Sequence, residues 1–232
     1  MPRNWNKGLT KETSLSVRKI SETMKLKRID NFRDWRERMK LAGKIKFEYA
    51  PLKRNGDLAE LIGVVLGDGH ICKFPRTESL RIVANSSNHG FIKRYTTIME
   101  KVFDKKPYVS KRKNSNAVDI TIYEKNISKR LNIPTGARAK YAVRVPFWIK
   151  KDRKLIVRYL RGLYEAEGSL SYHPKTYTHK FAFANINNFM LENVFNLVSL
   201  LGFKANKGKK QVQVSRKNEV QKLVRMLHFR VY

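Results

Sequence analysis

The chain has 232 residues, with 50 Lys and Arg against 19 Asp and Glu, giving a formal net charge of +31. Solubility asks only about 2–8 net charges of a small domain, so the excess points to a polyanionic partner, while 41% hydrophobic residues, 12 Phe and 10 Tyr among them, exclude a disordered basic tail. The longest apolar run, Leu61 to Leu66, is far shorter than the roughly 20 residues of a membrane helix, no apolar signal core opens the chain, and one cysteine with five scattered His excludes an internal disulfide and a paired Cys/His zinc site. The expected setting is intracellular, with no membrane partner.

Residues 1–50 have a texture of their own: WNKGL, then Thr10 to Lys25 with Leu15, Ile20 and Met24, then the charged run RDWRERMK at 33–40. Short helices on a basic arm are expected, with too few apolar residues for an independent core. Asp57 to Gly67 then reads as a helix, His70 to Phe74 and Leu80 to Asn85 as a hairpin, and Phe91, Tyr95, Ile98 and Val102 as one helical face. A second hairpin, Lys106 to Lys111 with Ala117 to Tyr123, turns near Asn114, and Lys125 to Leu131 closes the unit. Gly136 to Lys150 is a linker, since Pro134 and Pro146 argue against a continuous helix.

From Asp152 the order repeats. LIGVVLGDGH at 61–70 aligns with LRGLYEAEGS at 160–169, setting Gly63 on Gly162, Gly67 on Ala166, Asp68 on Glu167 and Gly69 on Gly168. One residue further in offset, Asn85 falls on Asn185; Met190, Val194, Leu197 and Leu201 then repeat the helical face, with Gly202 as its stop. Lys207 to Lys210 form a basic turn before Gln211 to Ser215. The reading is α+β: two αββαββα units related by a pseudo-twofold, each with a four-stranded antiparallel sheet. The expected divisions are an arm over 1–50, units over 51–135 and 151–232, and the linker 136–150.

Small residues one turn apart, Gly63 and Gly67 in one opening helix, Gly162 and Ala166 in the other, let two backbones approach closely. Asp68 and Glu167 then meet at the helices' C-terminal ends, against the negative ends of both macrodipoles and against each other. A divalent cation relieves both penalties. A single Asp-Gly would read as an exposed turn; its duplication favours oxygen-ligand magnesium and phosphodiester hydrolysis.

The paired motifs resemble the LAGLIDADG homing endonucleases in their single-chain, two-motif form, over residues 57–232. The resemblance implies saddle-shaped sheets in the major groove and two acids cutting opposite strands of a long asymmetric duplex target across the minor groove. It implies a monomer using Mg2+ or Mn2+, with Ca2+ as a non-catalytic substitute. It assigns the metals to Asp68 and Glu167 with the carbonyls of Gly67 and Ala166, a polar amide role to Asn85 and Asn185, and a lysine role to Lys140, whose partner in the second half is either missing or replaced by Arg230. Motif one departs from the usual pattern before its Asp-Gly, and motif two carries Glu167 for the commoner Asp. An intron RNA maturase, or a non-cleaving DNA-binding protein on the same fold, is the alternative. Residues 5–25 separately resemble the short modular DNA-binding motifs attached to homing nucleases, which offers Lys7, Lys11, Arg18 and Lys19 to DNA.

With Ile71 and Leu170 pointing to the core, strand alternation turns His70, Cys72, Phe74 and Arg76, and Ser169, Ser171, His173 and Lys175, toward DNA. Arg81, Lys111, Lys113, Asp119 and Thr121 extend that set in the first unit; Lys207, Lys209, Lys210, Gln211, Gln213 and Ser215 do so in the second, where Gln suits adenine. A His-Asn-His nuclease built on His173, His179, Asn187 and Asn188 would leave the duplicated acids unexplained.

Overall fold

The computed structural model describes residues 6–44 and 48–232. Trp5, which heads the WNKGL motif, lies outside them. The chain divides into two compact units, one ending at Tyr49 and one spanning Ala50–Tyr232, and each is described by itself. In the first, α1 (Leu15–Leu26) and α2 (Arg33–Leu41) bury none of their residues. They lean on exposed i,i+4 pairs, Arg18 with Glu22 at 3.0 Å and Arg33 with Glu37 at 3.5 Å, each contributing about 0.3–0.5 kcal/mol. Leu15, Leu26 and Leu41 are more than 70% exposed, as expected of a segment too poor in apolar residues to close a core.

The second unit opens with α3 (Gly56–Gly67), whose first turn is capped by Asn55 accepting from the Leu58 amide at 2.9 Å. There follow β1 (Gly69–Lys73), β2 (Glu78–Asn85), α4 (His89–Phe103), β3 (Tyr108–Lys111), β4 (Ala117–Glu124) and α5 (Ile127–Leu131). Asn114 takes φ +60° in the β3–β4 turn, a conformation asparagine tolerates well. The linker contains one helical turn, α6 (Phe147–Lys150), starting after Pro146.

The second copy follows: α7 (Arg153–Glu167), β5 (Gly168–His173), β6 (Thr178–Ala184), α8 (Asn188–Leu200), β7 (Asn206–Lys207), β8 (Gln211–Val214) and α9 (Lys217–Leu227). Asp152 caps α7 through the Lys154 amide at 2.7 Å, and Gly202 at φ +91° ends α8. The sheets run β1-β2-β4-β3 and β5-β6-β8-β7, both antiparallel. The chain therefore has the expected α+β topology, with the same unit built twice.

The repeats share one core. Every residue of α3 from Leu58 to Leu66 is buried, so this helix is enclosed all round. Its tightest neighbour is α7: a Cβ on Gly63 would lie 2.3 Å from the Tyr159 carbonyl oxygen, and one on Gly162 would lie 2.1 Å from that of Glu60. Only glycine permits backbones this close. Glu60, fully buried, accepts from Arg94 at 2.6 and 2.7 Å and from Arg158 at 2.6 Å, with Arg161 at 3.5 Å. A buried carboxylate is tolerable only when held like this.

One expectation about the core fails. Ile71 is fully buried, but Leu170 is 50% exposed. Every residue of β5 after Gly168 is exposed. At the edge of β1 the linker pairs with the strand, the Gly136 amide donating to the Ile71 carbonyl at 3.1 Å; Leu170 lies along a shallow apolar groove with Tyr172, Val220 and Val224.

Candidate active site and nucleic-acid interface

Asp68 is the residue that closes α3, and Glu167 is the last residue of α7. The glycine contacts bring the two helix ends together: a Cβ on Gly67 would lie 2.4 Å from the Ala166 Cβ and 3.2 Å from the Glu167 Cγ. Gly69 and Gly168 then fold back on their own helices, each too close to Val65 or Tyr164 for any side chain. So the chain leaves each helix sharply as a strand, with the acid at the corner.

Crowding by surrounding atoms, and then the negative charge of Glu167, push the Asp68 carboxyl up to about 6, although its side chain keeps a face open to solvent. Desolvation also raises Glu167. The pair is thus strained by like charge in the way that invites a cation. Asn185 donates its Nδ2 to Glu167 Oε1 at 3.3 Å. Its first-copy counterpart Asn85 is turned to a local role, accepting from Ser87 N at 3.0 Å and Ser87 Oγ at 2.9 Å. The twofold of the sequence is therefore not carried into the amides.

The donor set fits a hard divalent cation. Two carboxylates sit beside the final turns of α3 and α7, where helix carbonyls such as those of Gly67 and Ala166 lack intrahelical partners. Among the described residues no cluster of three or more His, Cys, Asp or Glu could cage an ion alone.

Lys140 is an exposed linker residue. The linker cation at the acid corner is Arg138, which sequence reasoning passed over although it lies in the same GARAKYAV segment. Its Nη2 donates to the carbonyls of Val65, at 2.9 Å, and Gly69, which bracket Asp68. Arg230 is spent elsewhere: its guanidinium lies 4.8 Å from the Phe229 ring, and its amide donates to Glu165 at 2.7 Å.

Each sheet has one face under helices and one face free of them, and the register decides which side chains share the free face. In the first sheet His70, Arg81, Thr121 and Tyr108 form one row, and Cys72, Ser79 and Tyr123 the next. Among the described residues Arg81 Nε is buried without a hydrogen-bond partner. Thr121, expected to contact DNA, is only 4% exposed because Arg81 and Tyr108 flank it. Asp119 lies on this face but is gripped by Arg112, at 3.1 and 3.0 Å from Nε and 2.8 Å from Nη2. Lys111 pairs with Val118, so it belongs to the opposite face. Phe74 and Arg76 lie beyond β1 in the hairpin turn, and Lys113 lies in the β3–β4 turn.

In the second sheet Ser169, Ala182, Gln213 and Asn206 make one row, with Ser171 opposite Lys180, His173 opposite Thr178 and Gln211 opposite Ala184. Lys207 pairs with Val212 on the helix side and binds Glu192 of α8, a correction to its expected role. Lys209 and Lys210 occupy the exposed turn ahead of β8, Ser215 follows that strand, and Lys175 sits in a short 3-10 turn. His173 and His179 fall on opposite faces, His179 lying 4.7 Å ring to ring from Tyr172. A His-Asn-His constellation is not assembled there. In the N-terminal unit Lys7 and Lys19 are exposed, Lys11 lies 3.4 Å from Glu12, and Arg18 is paired with Glu22.

No family model matches the chain. Among solved structures, mesophilic variants of the homing endonuclease I-DmoI are similar with a TM-score of 0.52 at 16% identity, over 74% of this chain and 94% of theirs. The crystal structure of I-DmoI in complex with DNA and Mn gives 0.51 at 17% identity, over 74% and 96%. Full-length WhiA from Thermatoga maritima gives 0.51 at 17%, over 76% of this chain and 56% of that one. The chain thus has a LAGLIDADG-type fold. Among curated proteins, the isomerizing glutamine–fructose-6-phosphate aminotransferase of Methanocaldococcus jannaschii is 27% identical over 137 residues, 58% of this chain. The chain spans only 12% of that protein's length.

Proposed function

We propose that this chain is a divalent-metal-dependent, site-specific endonuclease of duplex DNA, acting as a monomer with one acid assigned to each strand. The convergence of Asp68 and Glu167 carries the reading. Two like acids forced together at paired helix C-termini, each one residue ahead of the first strand of a sheet, have no structural benefit of their own. They acquire one when a cation and phosphates arrive. I-DmoI has been crystallised with DNA and Mn and with DNA and Ca, in keeping with this use of the shared fold.

Asp68 and Glu167, with the Gly67 and Ala166 carbonyls, would hold a divalent metal, whose chemistry there would be activation of water and stabilisation of the leaving oxygen. The chain's own residues do the rest. Asn185 fixes the Glu167 carboxylate through Oε1, leaving Oε2 for a ligand. His70, Cys72, Arg81, Ser169, Ser171, His173, Gln211 and Gln213 offer donors and acceptors to base edges from the free sheet faces. The basic excess, shared between the sheets and the arm bearing Lys7, Lys11, Arg18 and Lys19, supplies phosphate affinity.

The test uses duplexes selected by the full chain from a randomised library in Ca2+. In Mg2+ the wild-type protein should cut them on both strands, while Asp68→Asn and Glu167→Gln should each abolish cleavage of at least one strand and retain binding. Undiminished cutting by both variants overturns the assignment. Binding of structured intron RNA in preference to the selected duplex, with no cutting, would favour the maturase alternative.

A further inference from the structure

The two acids lie in different repeats, yet a continuous hydrogen-bonded path joins their surroundings through the linker. It starts at Glu167, whose Oε1 accepts from Asn185 Nδ2 at 3.3 Å. Asn185 Oδ1 accepts from the Asn187 amide at 2.8 Å. Asn187, 2% exposed, donates its Nδ2 to two linker carbonyls, those of Arg138 and Tyr141, both at 2.9 Å. Its Oδ1 is used on the amides of Phe189, at 2.9 Å, and Met190, at 3.3 Å, where it caps α8. Every polar atom of that side chain is therefore committed, which fixes its rotamer. Arg138 completes the path: its Nη2 reaches the Val65 and Gly69 carbonyls on either side of Asp68.

Two further observations make this more than a cap. Among the described residues Arg138 Nη1 is buried without a hydrogen-bond partner, a cost that a residue serving stability alone would not need to carry. The linker is also tied down next to this point, by Asn193 Nδ2 donating to the Val143 carbonyl at 2.8 Å and by Gly136 donating to Ile71. So the linker main chain around Arg138 is held from both repeats while the guanidinium clips the corner bearing Asp68.

We propose that Arg138 is a positioning residue common to both half-sites, its guanidinium setting the corner that carries Asp68 and its main chain, through Asn187 and Asn185, setting the Glu167 carboxylate. The proposal rests on the endonuclease reading above. It predicts an asymmetry: loss of the guanidinium disturbs the Asp68 side first, because the path to Glu167 runs through the backbone and survives the change. Partners in the shell behind metal ligands are typically worth 10- to 100-fold in metal affinity or activity.

Arg138→Met keeps the aliphatic stem and removes the donors; Arg138→Lys keeps one donor. Both would be compared with wild type on the Ca2+-selected duplex. The measurements are Mn2+ affinity of the protein–DNA complex by water-proton relaxation, strand-resolved single-turnover cleavage, duplex affinity in Ca2+, and melting temperature. Arg138→Met should weaken Mn2+ binding about 10- to 100-fold and slow the strand lost in Asp68→Asn more than the other, at unchanged duplex affinity. Arg138→Lys should recover part of both effects. Should the methionine variant not fold, the lysine variant carries the test through its strand ratio and Mn2+ affinity. Wild-type values of both in Arg138→Met, or in Arg138→Lys where the methionine variant does not fold, or equal slowing of both strands in proportion to melting temperature, would overturn the proposal. Undiminished cutting by Asp68→Asn and Glu167→Gln would instead sink the endonuclease reading on which it stands.

Discussion

The contact between α3 and α7 sets the geometry of the acids, and Gly162→Ala tests it directly. The new Cβ would stand 2.1 Å from the Glu60 carbonyl oxygen and 2.7 Å from the Val64 amide nitrogen, both backbone atoms that no side-chain rotation can move. Restoring ordinary contact requires the helices to part by about 1 Å, and overpacking of this kind costs about 1–3 kcal/mol. Alanine returns about 1 kcal/mol of helix propensity, so a net loss of up to about 2 kcal/mol is expected. At about 2–4 °C per kcal/mol for a chain of this size, the melting temperature should fall by up to about 8 °C. The consequence for function is larger, since a misplacement of about 1 Å in a reacting group can cost about 100-fold in rate. Calorimetry and single-turnover cleavage measure the two effects, with Gly208→Ala, where the nearest atom lies at 3.7 Å, as the comparison. A Gly162→Ala protein that melts as high as wild type and cuts as fast would refute the argument that the helix contact positions the acids.

The remaining predictions address charge. The Asp68 carboxyl, raised to about 6 in the folded protein, destabilises the metal-free state above pH 6, and that penalty is relieved as pH falls from 6 toward the unfolded value near 4. Asp68→Asn should therefore raise metal-free stability at pH 8, by no more than about 1 kcal/mol after discounting for its open side, and lose the advantage by pH 4; urea titrations at both pH values decide, and an advantage that grows on acidification contradicts the shift. Glu60→Leu leaves Arg94, Arg158 and Arg161 without their shared acceptor and should cost about 3–5 kcal/mol. A loss under 1 kcal/mol by denaturant unfolding would show the cluster to be self-sufficient. Removing residues 1–49 should flatten the salt dependence of duplex binding by about 0.9 in log–log slope for each phosphate that the arm neutralises, and identical slopes in anisotropy titrations would deny the arm a role.

What the sequence disclosed followed from spacing. Gly63 and Gly162 announced the close helix contact, and the offset between Asp68 and Glu167 announced that two acids share an environment. The faces of edge strands were harder to read, because alternation says which residues share a side but not what covers it. Ile71 is buried while Leu170 is half exposed, and Thr121 is covered by neighbours on its own face. Lys111 and Lys207 were assigned by charge, whereas their sides follow from register with Val118 and Val212. The roles of Arg138 and Asn187 were invisible for another reason: their partners are backbone carbonyls 46 to 73 residues away, and no side-chain pattern records such pairings.

The Glu60 cluster also dictates which halves can be joined. Its acid belongs to the first repeat and two of its arginines to the second, at positions where the alignment gives Tyr159 opposite Glu60 and Ala59 and Ile62 opposite Arg158 and Arg161. A first half mated with its own duplicate would leave each Glu60 with Arg94 alone of its three arginines, and a second half mated with its duplicate would bring Arg158 and Arg161 together without their acid. The molecule thus carries a lock against self-mating, and hybrids built by exchanging halves with a related chain must import the acid and its arginines together.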